Sequence, residues 1–374
     1  MNRARPKLSV GIIARNEQQH IRYCLESIRP IADEIIFVDT GSQDATVKIA
    51  KQYGARVIHY KWNNNYSKAR NIYIRNASHE WILSIDADET LAKKDLSAIR
   101  NLLSNSDIGG YEFNRRTYTS VLNYAFLWRP NDGKYPREEK ESKCPGYAHT
   151  QQTRLFRNQD YFYDEKVRVH EDIKPTIQAH GGLISKVDVT VHDFSCLKGH
   201  RFNIQKNRKY FRLGKAESKH RRLDELAHLN LALYRGLSLG RNLNQSIYHL
   251  KEALKLNQTN PDLHYLLALV HREKKWFKPA LSRLKKVLKM EPQYADAWWL
   301  SGVCYDEMGL GKKAEVHLRK ALQIVPKHPL FLNSWGVVNY NLGDSKEARQ
   351  AFKKSTHILP QFTQARKNLA ALSA

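Results

Sequence analysis

Three aspartates stand where apolar runs end. Asp39 closes the run from Glu34, and Asp86 and Asp88 follow Trp81 to Ile85 with one alanine between them. A carboxylate delivered to the end of an apolar strand is costly unless it meets a cation or a hydrogen-bond donor. A divalent ion that also touches substrate phosphates satisfies such a set, because Mg2+ and Mn2+ take a few carboxylates, phosphate oxygens and water. The same acids could instead cap helices, with Glu89 and Thr90 beginning one. Further along, Glu171 and Asp172 offer two more carboxylates, and His192, in Val191-His192-Asp193-Phe194, follows an alternating run. No Gly-rich phosphate loop of the P-loop or dinucleotide-binding kind occurs, so kinase and dehydrogenase chemistry lose their usual support.

The elements that must position these residues are legible in outline. Leu8 to Ala14, Glu34 to Asp39, Arg56 to His59 and Trp81 to Ile85 read as strands; Glu17 to Ser27, Asp44 to Tyr53 and Tyr66 to Asn76 read as helices. That alternation implies βαβ units and a mainly parallel, Rossmann-like mixed sheet, whose ligands bind outside the carboxyl ends of the strands. From Gly110 to Asp193 the pattern fades into aromatic, basic and turn residues, among them Tyr111, Tyr118, Tyr124, Trp128, Tyr135 and Tyr147. A stretch of this length is expected to be a substrate loop or lid, with strands at Gln152 to Arg157 and Lys186 to His192. The Lys- and Arg-rich residues 196–225 read as a helical connector.

The ordered set Arg15-Asn16-Glu17, Asp39-Thr40-Gly41-Ser42 with Asp44, Ala69-Arg70-Asn71 and Asp86-Ala87-Asp88 resembles glycosyltransferase family 2, inverting nucleotide-sugar transferases of the GT-A fold. The likeness is tight over residues 7–90 and looser to about 195. It implies that Asn16 and Glu17 line the nucleotide pocket, although a helix cap with a first-turn acid explains them as well. It further implies that Asp39 accepts a hydrogen bond from the base, as from uracil N3–H, and that Arg70 lies over the base or near the phosphates. Asp86 would hold the ribose hydroxyls or a metal-bound water. Asp88 would ligate Mn2+ or Mg2+, with His192 completing the metal site or serving only as a structural residue. Inverting transfer needs a base beyond the nucleotide half. Thr153 to Arg157 followed by Val169 to Asp172 resembles the family's later motif, making Glu171 the first choice and Asp172 the second; helix capping or pairing with Arg168 is the alternative. The sequence departs from the family at His192-Asp193-Phe194 and carries a basic insert around Trp128 to Lys143, so donor sugar and acceptor do not carry over.

The C-terminal half repeats with a step of 34: Ala280, Ala314 and Ala348; Pro292, Pro326 and Pro360; Leu284, Leu318 and Phe352. Gly302 and Gly336, with Ala268 one step earlier, supply a small residue where two helices would approach. Units at about 261–294, 295–328 and 329–362 resemble tetratricopeptide repeats, with a weaker one from Ala227 to Asn260 and a closing helix from Phe362. The expected architecture is a GT-A domain with its connector over 1–215 and an all-α tetratricopeptide solenoid over 216–374. The chain is similar over its length to bacterial family 2 enzymes with C-terminal repeats, a group that includes glycocin S-glycosyltransferases and enzymes of lipopolysaccharide-core or surface-polysaccharide assembly.

Composition bounds the rest. Of 374 residues, 62 are Lys or Arg and 37 Asp or Glu, a formal net charge of +25. No apolar run approaches the roughly 18 residues of a membrane span, and the basic Met1 to Pro6 leads to no cleavage site. The expected location is the cytoplasm, with the charge favouring the anionic cytoplasmic face of the inner membrane. The four cysteines form no CxxC pair and read as free thiols. The leading expectation is a metal-dependent transferase moving sugar from a UDP donor to a cell-surface glycan or lipid-linked saccharide, with a peptide acceptor as the alternative. A non-catalytic repeat scaffold with a degenerate nucleotide-binding domain is the competitor from another class. The repeats would serve a homodimer or a protein partner. They lack the interleaved basic and aromatic pattern of an RNA-binding surface, so no nucleic acid is expected.

Overall fold

The computed structural model describes residues 5–119, 128–168, 171–198, 213 and 242–372. Most of the expected connector, the first half of the weak repeat, Tyr124, Val169 and His170 lie outside these residues. Two compact units form. One holds Met1–Tyr118, Gly133–Cys144 and Ala148–Lys219; the other holds Thr119–Asp132, Pro145–Tyr147 and His220–Ala374.

The first unit is built on a mixed sheet. Its strands are β1 (Leu8–Ala14), β2 (Glu34–Asp39), β3 (Arg56–His59), β4 (Trp81–Asp86), β5 (Glu89–Leu91), β6 (Ile108–Tyr118), β8 (Gly146–Arg157) and β9 (Leu183–Asp193), in the order β3-β2-β1-β4-β8-β6-β9-β5; β7 (Trp128–Pro130) is off this path and belongs to the second unit. β1 is buried at every position, as expected of a parallel strand covered on both faces. Its register sets Ala14 opposite Asp39 of β2 and Ile13 opposite Asp86 of β4. The chain runs from β1 outward through β2 and β3 and then returns to the other side of β1 with β4. The carboxyl ends of β1, β2 and β4 therefore flank a topological switch point, where ligands of α/β sheets bind. At ~4.8 Å per strand spacing, Asp39 and Asp86 start roughly 10 Å apart across the end of β1.

Around this sheet lie α1 (Ile21–Ile28), α2 (Thr46–Gln52), α3 (Tyr66–Asn76), α4 (Leu96–Leu102), α5 (Pro136–Ser142) and α6 (Lys174–Ala179). One alternative falls and one expectation needs correction. Glu89 and Thr90 begin no helix; they form the short strand β5, antiparallel to β9. The stretch expected to be a loop or lid contains the eleven-residue β6, parallel to β9. Its charged residues hid it: Glu112 pairs with Lys174 at 2.8 Å, Arg116 with Glu139 at 3.1 Å, and Arg115 with Asp193 at 2.6 Å. Paired charges can sit inside a fold without showing an apolar alternation.

The second unit stacks helical hairpins, α8 (Pro261–Glu273) on α9 (Phe277–Met290), α10 (Ala295–Glu307) on α11 (Gly311–Ile324), and α12 (Pro329–Asn341) on α13 (Ser345–Ile358), preceded by α7 (Leu243–Leu256) and closed by α14 (Thr363–Ala371). The 34-residue step has a steric cause. A Cβ on Gly302 would stand 2.7 Å from Leu318 Cγ, and one on Gly336 2.5 Å from Phe352 Cε1, so these two hairpins need glycine where the preceding one takes Ala268. The unit also takes in part of the basic insert: His328 Nε2 pairs with the carbonyl of the buried Trp128 at 3.1 Å, and Arg129 meets the buried Asp296 at 2.8 Å.

Candidate functional site

The rim at the ends of β1, β2 and β4 is assembled from three loops tied to one another. Asn16, at φ 57°, accepts from Gln43 N at 2.8 Å and donates its own N–H to Ser42 Oγ at 3.0 Å, while Glu17 N donates to Thr46 Oγ1 at 2.7 Å. The residues after β1 are thus cross-linked to those after β2. Neither caps α1, which starts at Ile21 with no side-chain cap.

Asp39 is almost fully buried, and its carboxylate turns back on its own loop, accepting from Ser42 N at 3.0 Å and Gly41 N at 3.3 Å. Burial alone would raise this carboxyl, but hydrogen bonds from Ser42, His59 and Gly41 hold it below the usual carboxylate range. His59 Nδ1, at 3.1 Å, belongs to a side chain 67% exposed and is the exchangeable member of that set.

Arg70 is placed by α3. Gly11 in β1 leaves room for the Tyr73 ring, whose hydroxyl donates to Ser84 Oγ at 2.8 Å and fixes α3 across β1 and β4. One turn earlier, Arg70 donates to Asp86 Oδ1 at 2.7 Å, Ser84 Oγ at 3.2 Å and Glu171 Oε1 at 2.6 Å. The neighbouring Asn71 brackets Tyr163, donating to its carbonyl and accepting from its N–H, both at 2.9 Å. Asn65 caps α3 through Lys68 N and also donates to the Glu165 carbonyl at 2.7 Å. The 161–168 segment is thereby fastened to α3, which brings Glu171 to Arg70. Arg70 is buried as the link between two carboxylates.

Asp86 is paired with Arg70, and its side chain stays 28% exposed. Burial would raise it, but Arg70, Arg154 and Arg115 hold it far below the ordinary range. Behind it lies a set that sequence reasoning missed. Glu89, with no exposure, accepts from Arg154 at 2.6 Å and Arg115 at 2.9 Å and receives Asp86 N at 2.9 Å. The only sequence signal was an acid three residues past Asp86, at an apolar strand end that also holds Asp88.

Glu171 gives Oε1 to Arg70, and its Oε2 has no hydrogen-bond partner among the described residues. Asp172 accepts from Lys174 N at 3.0 Å where α6 begins, and burial raises its pKa. Arg168 is not the partner of either; the ion pair of Glu171 is with Arg70.

Asp88 and His192 have different surroundings. His192 is fully buried, its Nδ1 on Tyr118 Oη at 2.9 Å and its ring edge-on to Tyr135; burial lowers its pKa to about 3. Because strand residues alternate between faces, His192 projects away from its neighbour Asp193, which joins Arg115 and the Glu89 set. Asp88 instead meets Lys198 Nζ at 2.8 Å, and the same ammonium reaches Glu17 Oε1 at 2.5 Å. The family resemblance implies a divalent ion, but this donor set does not fit a resident one. Among the described residues no three His, Cys, Asp or Glu side chains gather to hold one, and the converging carboxylate pair already carries a cation.

The glycosyl transferase family 2 model matches residues 9–161, a TPR repeat model matches 241–275 and a tetratricopeptide repeat model matches 272–333. Among sequence relatives, the SPbeta prophage-derived glycosyltransferase SunS of Bacillus subtilis is 42% identical over 96 residues, 25% of this chain and 23% of that protein. A TPR repeat-containing protein of Synechococcus elongatus is 38% identical over 104 residues, 28% of this chain and 26% of its own length. The lipopolysaccharide core biosynthesis glycosyltransferase LpsC of Rhizobium meliloti is 29% identical over 208 residues, 53% of this chain and 70% of that protein. The chain thus spans about a quarter of the length of the first two. Among solved structures, the crystal structure of MamA aligns with a TM-score of 0.37 at 23% identity, covering 44% of this chain and 95% of that one.

Proposed function

We propose that this chain, a glycosyltransferase family 2 domain followed by tetratricopeptide repeats, transfers a sugar with inversion from a nucleotide donor, a UDP-sugar, to a hydroxyl of a cell-surface glycan or lipid-linked saccharide. The observation that carries the reading is the set of carboxylates at three neighbouring strand ends on the switch point: Glu17 paired with Lys198, Asp39 held by Gly41, Ser42 and His59, and Asp86 paired with Arg70. The uracil N3–H takes the place of the exposed His59 on Asp39. The ribose hydroxyls donate to Asp86, whose pairing with Arg70 keeps it an acceptor. Glu171 Oε2 receives the proton of the acceptor hydroxyl while Oε1 stays on Arg70, which fixes the carboxylate's aim. Asp172, whose pKa burial raises, is the second candidate for that role.

The acceptor class follows from the charge of +25, which draws the enzyme toward anionic surfaces where such saccharides are assembled. Among the described residues no helix is long and apolar enough to cross a membrane. The repeats offer a surface for a protein partner or a second copy.

A screen of UDP- and GDP-sugars for thermal stabilisation tests the donor, because a ligand present at 100 times its Kd stabilises the native state by about 2.7 kcal/mol. A UDP-sugar is expected to score, and Glu171→Gln is expected to keep that shift while losing about 100-fold or more of transfer. Absence of any nucleotide-sugar shift or hydrolysis would favour the non-catalytic scaffold. Full transfer by Glu171→Gln would move the base to Asp172.

A further inference from the structure

The contact of Lys198 with Glu17 and Asp88 is built into the fold. The backbone of Phe194 donates to the Asp88 carbonyl at 3.1 Å, and Asp193 Oδ1 accepts from Ser195 N at 2.7 Å, so the turn from β9 to Lys198 is sewn to the loop that carries Asp88. β5 and β9 pair Glu89 with Asp193 directly beneath it. Glu17 arrives from the other side, on the loop after β1. The Lys198 side chain is 11% exposed, and its ammonium lies at 2.8 Å and 2.5 Å from two carboxylates that are themselves mostly covered. Two partly buried carboxylates at one point demand a cation, and this chain supplies its own.

We propose that Lys198 is the resident cation of the diphosphate site, standing where a divalent ion would otherwise bridge the acid pair to the donor, so that nucleotide-sugar binding by this protein is independent of metal. The proposal rests on the nucleotide-sugar reading above. A lysine ammonium is a compact point charge on a flexible stem and a common ligand of phosphate oxygens. On transfer, the acceptor oxygen bonds to the anomeric carbon and its proton passes to Glu171. The bond from that carbon to the diphosphate breaks, and its electron pair stays on the terminal phosphate oxygen. Lys198 meets the charge that appears there, while Glu17 and Asp88 keep the ammonium from being drawn out of place.

The test is calorimetric titration of the full chain with UDP and with uridine, each in EDTA and in Mn2+, for wild type and Lys198→Met, with Mn2+ uptake followed by electron paramagnetic resonance without nucleotide. Wild type is expected to bind UDP within about 3-fold equally in EDTA and in Mn2+ and to take up no Mn2+ by itself. Lys198→Met is expected to lose at least 10-fold in UDP affinity in EDTA, to bind uridine as wild type does, and to take up Mn2+ at the vacated acid pair. Uridine binding serves as the check on folding, and the wild-type comparison needs no variant at all. Wild-type binding of UDP only with Mn2+, or unchanged UDP binding by Lys198→Met in EDTA, overturns the proposal while leaving the nucleotide-sugar reading intact. If neither UDP nor uridine binds under any condition, both fall.

Discussion

The two units solve the problem of burial in opposite ways. The repeats bury small and aliphatic residues at a fixed step, with Ala280, Leu284, Ala314 and Leu318 all at zero exposure, and each hairpin answers only to its neighbours. The α/β unit instead buries charge. Arg70, Arg154, Glu89 and Glu171 lie inside it, and every one is paired with an opposite charge from elsewhere in the chain. The difference teaches where function sits. A periodic apolar core makes a platform and can be read from one repeat, whereas a buried polar network holds a reactive rim in one arrangement and can be read only once the chain has folded.

Acid pH should separate the units most strongly, because their buried titratable groups respond with opposite sign. His192 is kept neutral with a pKa lowered to about 3, against about 6.5 in the unfolded chain. Its contribution is present above pH 6.5 and is lost as pH falls toward 3, about 5 kcal/mol in all. Asp296, in the repeats, is raised by burial to about 6 even with Arg129 beside it. Its contribution is present below about pH 4 and is lost as pH rises through 6, about 3 kcal/mol. Hydrogen exchange, corrected for intrinsic rates, should show β9 amides losing protection below pH 6 and α10 amides gaining it. Parallel behaviour in both elements would break the contrast.

The next largest effect is expected from Arg154→Met. It leaves Glu89 buried with Arg115 as its remaining cation, and a broken buried pair costs about 3–5 kcal/mol. Exchange at β4 and β8 should rise while α12 stays as protected as in wild type. Gly336→Ala sharpens the comparison from the other side. Its Cβ would meet Phe352 at 2.5 Å, an overpacking cost of about 1–3 kcal/mol confined to α12 and α13. If its effect reached β4, the repeats would not be the locally coupled array described above.

The same contrast explains what could be read in advance. α3 was expected from Tyr66 to Asn76 and spans those residues, because Asn65 caps it and its apolar face has helical spacing. The repeat helices were legible because glycine and alanine recur where helices touch. β6 was not, since Glu112, Arg115 and Arg116 find partners on α6, β9 and α5, beyond any local window. Within the rim, the acids were visible as strand-end residues, but what each one touches was not. Arg70 reads as a surface cation or phosphate ligand until Glu171, about a hundred residues later, is brought onto it. Lys198 gave no signal, because a lysine in a basic stretch looks like any other until its two carboxylates are in place.

The central claim is that the ends of β1, β2 and β4 grip a uridine nucleotide through Asp39. Titration of UDP into wild type and Asp39→Ala, both confirmed folded, tests it most directly. The account predicts saturable binding by wild type and a loss of at least 10-fold in Asp39→Ala, with GDP binding weakly to both. Equal UDP affinity in the two proteins, or saturable GDP binding without UDP binding, would contradict it.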